Sequence, residues 1–510
     1  MNCMKVFKTI LFGVFCFLLS GCMPKGMTYE ERQEEISKCK FTLFKLEKKY
    51  NPGLKEDLVF DVSNTKNIHC CLTSDVDIKT LIPTFKVGSG RVLLNGVEQF
   101  SGMTPVDFSG KVTYTLEYDI KTKFEVSVYI IPYTGLPVIE IQTVNSAPIT
   151  SKTVWLHAYI KINGMGQFED LEDSIQLKGR GNATWNFPKK AFNVKFPKKK
   201  SVLDMKKHKR WTFLANYRDR TLLRNDVTFM MGHLADGLEW TPHAQFVEVI
   251  FNGKHEGNFQ VVEQIRVDEN RVPIDEMTEL DVEGDNLTGG YLLEYDSYFK
   301  EVNKFRSVIN NWPVNLSNPD EDVCQPAQFE YIQEFHHELE TLLKEGRFDE
   351  LFANYMDMKS FIDYYIVQTI TNNGEMAKIY SVYCYKKRNG KLYAGPLWDF
   401  DYSTYNKPTG GRNLTAVWYK YLLNSPVFIA ALKERWNTLR PVIESRIYDY
   451  IDEKVDYLQK SVVANWSVYP IKLNMPANGD ELIPFEDAID RMKSTLKERF
   501  EYLDTVINEF

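Results

Sequence analysis

The chain has 510 residues, of which 44% are hydrophobic and 14% aromatic, and its formal net charge is −7. This apolar content is enough for at least two hydrophobic cores. The negative charge argues against nucleic acid as a partner, because phosphate contacts need clustered cationic side chains.

The N-terminus is typical of a secretory signal. Lys5 and Lys8 precede an apolar run that ends at Leu19, and this run is shorter than the roughly 20 apolar residues that span a bilayer. Residues 19–22 resemble the lipobox of bacterial lipoproteins, which implies that residues 1–21 are removed and that Cys22 is lipidated. We therefore expect an exported protein held in the cell envelope, at the outer membrane or the cell surface, by this lipid alone.

A β-rich region follows a polar tether at residues 22–38. Residues 113–118 and 124–129 alternate between apolar and polar side chains, which indicates strands, and Asn95-Gly96 is a hairpin signal. Several short strands within about 100 residues predict an immunoglobulin-like β-sandwich over residues 39–146. Nothing in this region is typical of catalysis, so we interpret it as a spacer or adhesion module.

The remaining chain, residues 150–510, changes from strands to helices. Strand patterns dominate residues 154–265 and are interrupted by a predicted helix at 220–234. Further helices are predicted at 361–369, with Ser360 as the N-cap, and at 485–507, where apolar residues recur at steps of three and four. The fold class is therefore α+β, with a cleft expected between the β-rich and helical halves.

Cysteine and histidine give no metal motif. Five cysteines remain besides Cys22 and those of the signal, and their spacing matches no zinc site. This number excludes a disulfide-dense scaffold, although one bridge is possible in an exported protein. His336 and His337 adjoin on a predicted helix, so their imidazoles point to different faces, and we expect both to be exposed to solvent. The five cysteines are Cys39, Cys70, Cys71, Cys324 and Cys384.

Three segments concentrate positive charge, and the first of them also contains two glycines. Gly179 and Gly181 flank Arg180 and precede several lysines, a pattern that fits either an ordinary turn or a loop that cradles phosphate. The basic run at residues 198–210 is either a solvated loop or a rim that faces phosphate. Residues 218–220 form either a capping and salt-bridge cluster or a support for a catalytic lysine.

The strongest chemical signal lies in the helical half of the chain, at the end of an apolar strand. Asp399 and Asp401 follow an apolar strand at alternate positions, and two buried carboxylates are costly to leave unpaired. Mg²⁺ commonly binds one or two carboxylates together with substrate phosphates. The pair therefore predicts either a divalent metal site or a turn stabilised by two aspartates.

Five blocks of the sequence resemble the spore-coat kinase (CotH) family in order and spacing. The resemblance implies an atypical protein-kinase-like domain with a small β-rich lobe, a helical lobe and ATP in the cleft. It implies transfer of the γ-phosphoryl group of ATP, with Mg²⁺ or Mn²⁺, to protein serine or threonine. The blocks are residues 177–196, 211–225, 246–272, 289–296 and 395–406.

The same resemblance implies roles for individual residues. Lys190 would bind the α- and β-phosphates, with Lys189 as its nearest substitute. Asp399 would bind the metal together with Asp401, and Ser381 stands near the position of a metal-binding asparagine. The residues expected beside ATP are Arg180, Asn182, Lys189, Lys190 and, at the approach to the hinge, Glu263.

The sequence departs from the family pattern where the catalytic base is expected. Many relatives have an Asn-x-Asp segment, whereas this chain has Asn373-Gly374-Glu375, and Glu375 is the candidate base. Two alternatives remain open: an inactive pseudokinase that binds a glycan or protein at the surface, and a kinase-fold enzyme that transfers another group such as AMP. The expected partners are ATP and an unidentified protein substrate, including the chain itself.

Overall fold

The computed structural model describes residues 27–60, 62–63, 65–470 and 478–510. The predicted signal at residues 1–21 and Cys22 lie outside the described residues. The chain divides into two compact units, Met1–Tyr133 and Thr134–Phe510. This boundary falls earlier than the one expected at 146–150, because strand Val138–Thr143 pairs with strands of the second unit. Within the described ranges, no helix combines the length and apolarity that crossing a membrane requires.

The first unit is built mainly of strands. Helix α1 (Tyr29–Ser37) is capped by Thr28, whose side chain accepts from Glu31 N. Two sheets follow, with strand orders β2-β1-β4 and β3-β8-β7-β5-β6. The strands are β1 (Phe41–Leu46), β2 (Leu58–Val59), β3 (Asn67–Cys71), β4 (Pro83–Val87), β5 (Arg91–Leu94), β6 (Val97–Glu98), β7 (Val112–Asp119) and β8 (Thr122–Ile131).

Both sheets contribute to one hydrophobic core in this unit. Phe44 of β1 lies 5.8 Å from Tyr114 of β7, edge to face, an arrangement that aromatic rings prefer. The predicted turn Asn95-Gly96 is confirmed, since both residues have positive φ and join β5 to β6. Strands β3 and β8 pair in parallel in the larger sheet. The immunoglobulin-like class of this unit stays a prediction.

The second unit begins with a closed barrel of strand order β10-β11-β12-β13-β15-β14-β9. Its interior is apolar. The basic run at 198–210 forms the β12–β13 hairpin and not an irregular loop. The strands are β9 (Val138–Thr143), β10 (Leu156–Asn163), β11 (Leu171–Gly179), β12 (Phe192–Val202), β13 (Met205–Leu214), β14 (Ala244–Phe251) and β15 (Lys254–Glu263).

A second sheet and most of the helices complete this unit, and the mixed α+β class is confirmed. The sheet has the order β17-β18-β16-β19-β20. Its strands are β16 (Tyr291–Tyr295), β17 (Lys304–Arg306), β18 (Pro313–Asn318), β19 (Val382–Lys386) and β20 (Leu392–Ala394). The helices are α2 (Arg224–Leu234), α3 (Gly284–Leu287), α4 (Pro326–Glu345), α5 (Phe348–Glu350), α6 (Met358–Ile370), α7 (Tyr419–Leu422), α8 (Pro426–Val468) and α9 (Phe485–Glu509).

Three local predictions need correction. Helix α2 begins at Arg224 and not at 220, because the Asp219 carboxylate accepts from Thr221 N and holds a turn there. The N-cap of α6 is Asp357, which accepts from Ser360 N, so Ser360 lies inside the helix. His336 is buried and bonded to Tyr295 Oη at 2.7 Å, and not exposed.

Two other predictions concern the C-terminal helix and the cysteines. The amphipathic helix predicted at 485–507 is confirmed as α9, whose apolar residues are buried. Cys39, Cys70, Cys324 and Cys384 are free thiols, so none of them forms the disulfide bridge that the sequence allowed. The fold therefore depends on its hydrophobic cores.

Candidate active site

A cavity of about 600 Å³ opens in the second unit between the barrel and the segments around the second sheet. On the barrel side it is lined by the loop after β11 and by the segment after β13. On the opposite side it is lined by the end of β16, by the segment before β19, and by residues that follow β20. Of the sequence-predicted site residues, it brings together Arg180, Asn182, Lys189, Glu375, Ser381, Asp399 and Asp401.

The loop after β11 requires its glycines. Gly181 has φ +96°, a left-handed conformation that favours glycine. A Cβ on Gly179 would collide with the Trp185 ring. Lys152 Nζ donates to Gly181 O at 3.0 Å, and Lys300 Nζ donates to Asn182 Oδ1 at 2.9 Å. The loop therefore presents backbone and cationic side chains to the cavity in a fixed conformation.

The opposite wall is acidic and only partly exposed to solvent. Asp399 has φ +68°, a strained conformation for a non-glycine residue. Its Oδ2 accepts from Ser381 Oγ at 3.4 Å. The segment is also fixed from α2, because Phe400 N donates to Asn225 Oδ1 at 2.8 Å. The strained aspartate is thus held beside Ser381 by contacts from two other parts of the chain.

Burial and mutual repulsion both disfavour the charged form of these carboxylates. Burial, and next the neighbouring Asp399, hold the pKa of Asp401 well above its usual range. Burial raises the pKa of Glu375 to about 9, with further contributions from Asp399, Asp401 and Asp296. Carboxylates crowded in this way gain stability when a cation is bound between them.

The donor set fits a hard divalent cation. Among the residues described, no group of three or more His, Cys, Asp or Glu side chains is arranged to hold a metal on its own. Mg²⁺ nevertheless binds through one or two carboxylates when phosphates and water complete its shell. Asp399 and Asp401, with Ser381 beside them, match this smaller requirement.

Two acidic residues of the cavity had no predicted role. Asp296 Oδ2 accepts from Ser381 N at 3.3 Å, and burial raises the pKa of Asp296. Glu294 accepts from Tyr383 Oη at 2.6 Å, and burial raises the pKa of Glu294 to about 8. The signal for both was present in the block 289–296, where two acids stand at alternate positions at the end of β16, and Asp399 and Asp401 show the same alternation in the sequence.

Of the two adjacent lysines, Lys189 lines the cavity and Lys190 does not. Lys189 is buried, and its Nζ donates to Ala215 O at 3.0 Å, to Asn465 Oδ1 at 2.7 Å and to Asn258 O. Burial lowers the pKa of Lys189 to about 7. Lys190 Nζ donates to Trp185 O at 2.7 Å and lies over the Trp185 ring.

Glu263 also lies away from the cavity. Its carboxylate is fully buried and accepts from Arg271 at 2.7 Å and from His243 N at 3.0 Å. These contacts satisfy both carboxylate oxygens within the protein. The contact that the resemblance implies between Glu263 and the nucleotide is therefore absent from the cavity described here.

Asp219, in the middle of the segment 218–220, has a structural role, whereas Arg218 lines the cavity. Arg224 forms buried ion pairs with Asp219 and with Asp480. Of the two interpretations of this cluster, the contacts match the capping and salt-bridge one. Arg180, by contrast, lies over the Trp398 ring at 5.3 Å from its centroid, beside the acidic wall.

A family profile described as CotH kinase protein matches residues 177–508. The match covers more than half of the chain and includes every residue named above as lining the cavity except Lys152. No curated protein matches the chain.

Proposed function

Because this chain belongs to the CotH kinase family, we propose that it transfers the γ-phosphoryl group of ATP to serine or threonine of a protein. The observation that carries the proposal is the cavity itself. It joins a glycine-containing cationic loop to a wall of crowded carboxylates. Phosphoryl transfer needs positioning and charge neutralisation more than covalent chemistry by the protein.

The residues divide into two groups. Arg180 and the backbone of residues 179–182 hold the phosphates, and Lys189 supports that wall through Ala215, Asn258 and Asn465. Asp399 and Asp401 hold Mg²⁺ or Mn²⁺, which when bound neutralises phosphate charge. We keep Lys190 outside this set because its ammonium is occupied by Trp185.

Glu375 is the proposed base. Its carboxylate takes the proton of the acceptor hydroxyl while the hydroxyl oxygen bonds to the γ-phosphorus, and ADP leaves with the bridging oxygen. A cation bound by Asp399 and Asp401 would offset the repulsion that helps to raise the pKa of Glu375, and would so favour the carboxylate form that accepts the proton. Its backbone N donates to Asn373 Oδ1 at 2.9 Å, which orients the segment.

Binding of nucleotide is the first test of this proposal. Mg·ATP is expected to raise the melting temperature of the purified full chain, and the rise should shrink when EDTA removes the metal. Arg180→Gln should reduce the rise, because it removes the cation beside the acidic wall. A chain that ATP does not stabilise, with or without metal, would contradict the proposal and favour a pseudokinase that acts by binding alone.

We also propose that the protein is exported and anchored in the cell envelope by lipid on Cys22, with the first unit as a spacer or adhesion module of immunoglobulin-like class. Metabolic labelling with palmitate should mark the wild-type chain and not Cys22→Ala. Cys324→Ala, which changes a thiol of the second unit, is the matched control and should be labelled normally. Equal labelling of the wild type and Cys22→Ala would contradict the anchor.

A further inference from the structure

Four cations lie together on the barrel beside the cavity. Lys195 of β12 stands directly opposite Arg210 of β13 in the antiparallel register. Lys195 also stands opposite Gln176, two residues from Lys178 in β11, so the Lys178 side chain is on the same face. Arg266 follows β15. We call Lys178, Lys195, Arg210 and Arg266 the cationic patch.

The patch is unfavourable for folding. Like charges directly opposite each other destabilise a sheet. Burial lowers the pKa of Lys178, and Arg210 and Arg266 lower it further. The acids that face the patch are Glu301, near Lys178, and Asp320, which accepts from Arg266 at 3.0 Å. Within the described ranges, Lys178, Lys195 and Arg210 have no hydrogen-bonded acceptor for their charged groups.

Trp155 holds two of these charged groups in place. Lys178 Nζ lies 4.9 Å from the centroid of the Trp155 ring, and Arg210 Cζ lies 5.1 Å from it. Such contacts restrict the two long side chains, so a ligand that binds them loses less entropy. Arg266 adds a buried Nε that has no hydrogen-bond partner. The patch is thus a preorganised group of donors in which Lys178, Lys195 and Arg210 have no hydrogen-bonded anion among the described residues.

We infer that the cationic patch binds an acidic segment of the acceptor polypeptide and so directs a nearby serine or threonine into the cavity. This inference rests on the proposed function. Lys178 lines both the patch and the cavity. Lys195 and Arg210 lie outside the cavity, and Lys195 is about 7 Å along β12 from Asn193, which lines it. A polypeptide can extend from the cationic patch into the cavity, whereas ATP in the cavity leaves Lys195 and Arg210 unoccupied.

The test is fluorescence anisotropy of a labelled peptide with the full chain. The peptide carries one serine flanked by Asp and Glu, and the reference peptide carries Asn and Gln in their place. Arg210→Gln and Lys195→Gln should each weaken Kd for the acidic peptide about tenfold, and added salt should weaken it in the wild type. Lys209→Gln is the matched control, because Lys209 is exposed and points to the other side of β13.

Two further readouts separate this role from a structural one. Neither Arg210→Gln nor Lys195→Gln should lower the melting temperature, since each removes repulsion, and neither should reduce stabilisation by Mg·ATP. In transfer assays both should raise KM for the acidic peptide and leave kcat unchanged.

The inference is overturned if the acidic peptide binds no better than the reference peptide, or if Arg210→Gln binds it normally. Loss of ATP stabilisation in Arg210→Gln would also overturn it and assign the patch to nucleotide phosphates. Binding of the acidic peptide without any transfer to its serine would leave the patch standing and refute the proposed function.

Discussion

Asp399→Asn is expected to reduce phosphoryl transfer by at least about 10³-fold, because a bound divalent cation supplies several kcal/mol of charge stabilisation and each 1.36 kcal/mol is a factor of about ten. The asparagine keeps the shape of the side chain and its hydrogen bond with Ser381 but loses the charge that holds the metal. The measurement is the rate of label transfer from γ-labelled ATP at saturating Mg²⁺, with wild-type and variant proteins side by side.

The melting temperature distinguishes this loss of phosphoryl transfer from unfolding of the variant. Removing the charge of Asp399 should leave the melting temperature in EDTA unchanged or higher, because residue 399 then no longer repels Glu375 and Asp401. Asp452→Asn is the control, because Asp452 is exposed and pairs with Lys493 on the surface. The transfer rate of this variant should equal that of the wild type. Full transfer by Asp399→Asn would refute the metal assignment.

Arg224→Met is expected to lower the free energy of unfolding by about 3–5 kcal/mol. Arg224 is 1% exposed and pairs with Asp219, which is 0% exposed, and with Asp480, which is 1% exposed. The substitution leaves both carboxylates buried without their cation, and that is the costly state of a broken buried ion pair. Chemical denaturation of the purified protein measures the loss.

Arg440→Met gives the matched comparison for this prediction. Arg440 also pairs with two acids, Glu444 at 3.0 Å and Asp504 at 3.1 Å, but all three side chains are partly exposed. Surface pairs contribute about 0–1 kcal/mol, so this variant should be close to the wild type. Equal, small losses for the two variants would show that the Arg224 cluster does not hold the turn before α2.

Local patterns predicted much of this fold. The turn Asn95-Gly96 and the amphipathic helix at the C-terminus follow from short-range sequence alone, because turn conformation and helical periodicity depend on neighbouring residues. The resemblance to the CotH family named several residues that line the cavity, among them Arg180, Glu375 and Asp399.

Long-range packing determined the rest. Lys189 and Lys190 are neighbours, and the choice between them depends on Asn465, which is 276 residues away from Lys189. Asp480, the second partner of Arg224, is 256 residues from it. His336 was expected at the surface, but its burial beside Tyr295 depends on a strand 41 residues away. The periodicity of apolar residues along the sequence does not indicate such long-range contacts.

Transfer of the γ-phosphoryl group itself is the most direct test of the proposed kinase activity. The full chain is incubated with γ-labelled ATP and Mg²⁺, alone and with the acidic serine peptide, and the products are examined by intact mass and by position of the label. If the chain is such a kinase, label and the mass of a phosphoryl group appear on serine or threonine, and EDTA prevents both. An added mass of AMP, or no added mass in a chain that ATP stabilises, would contradict the proposed kinase activity.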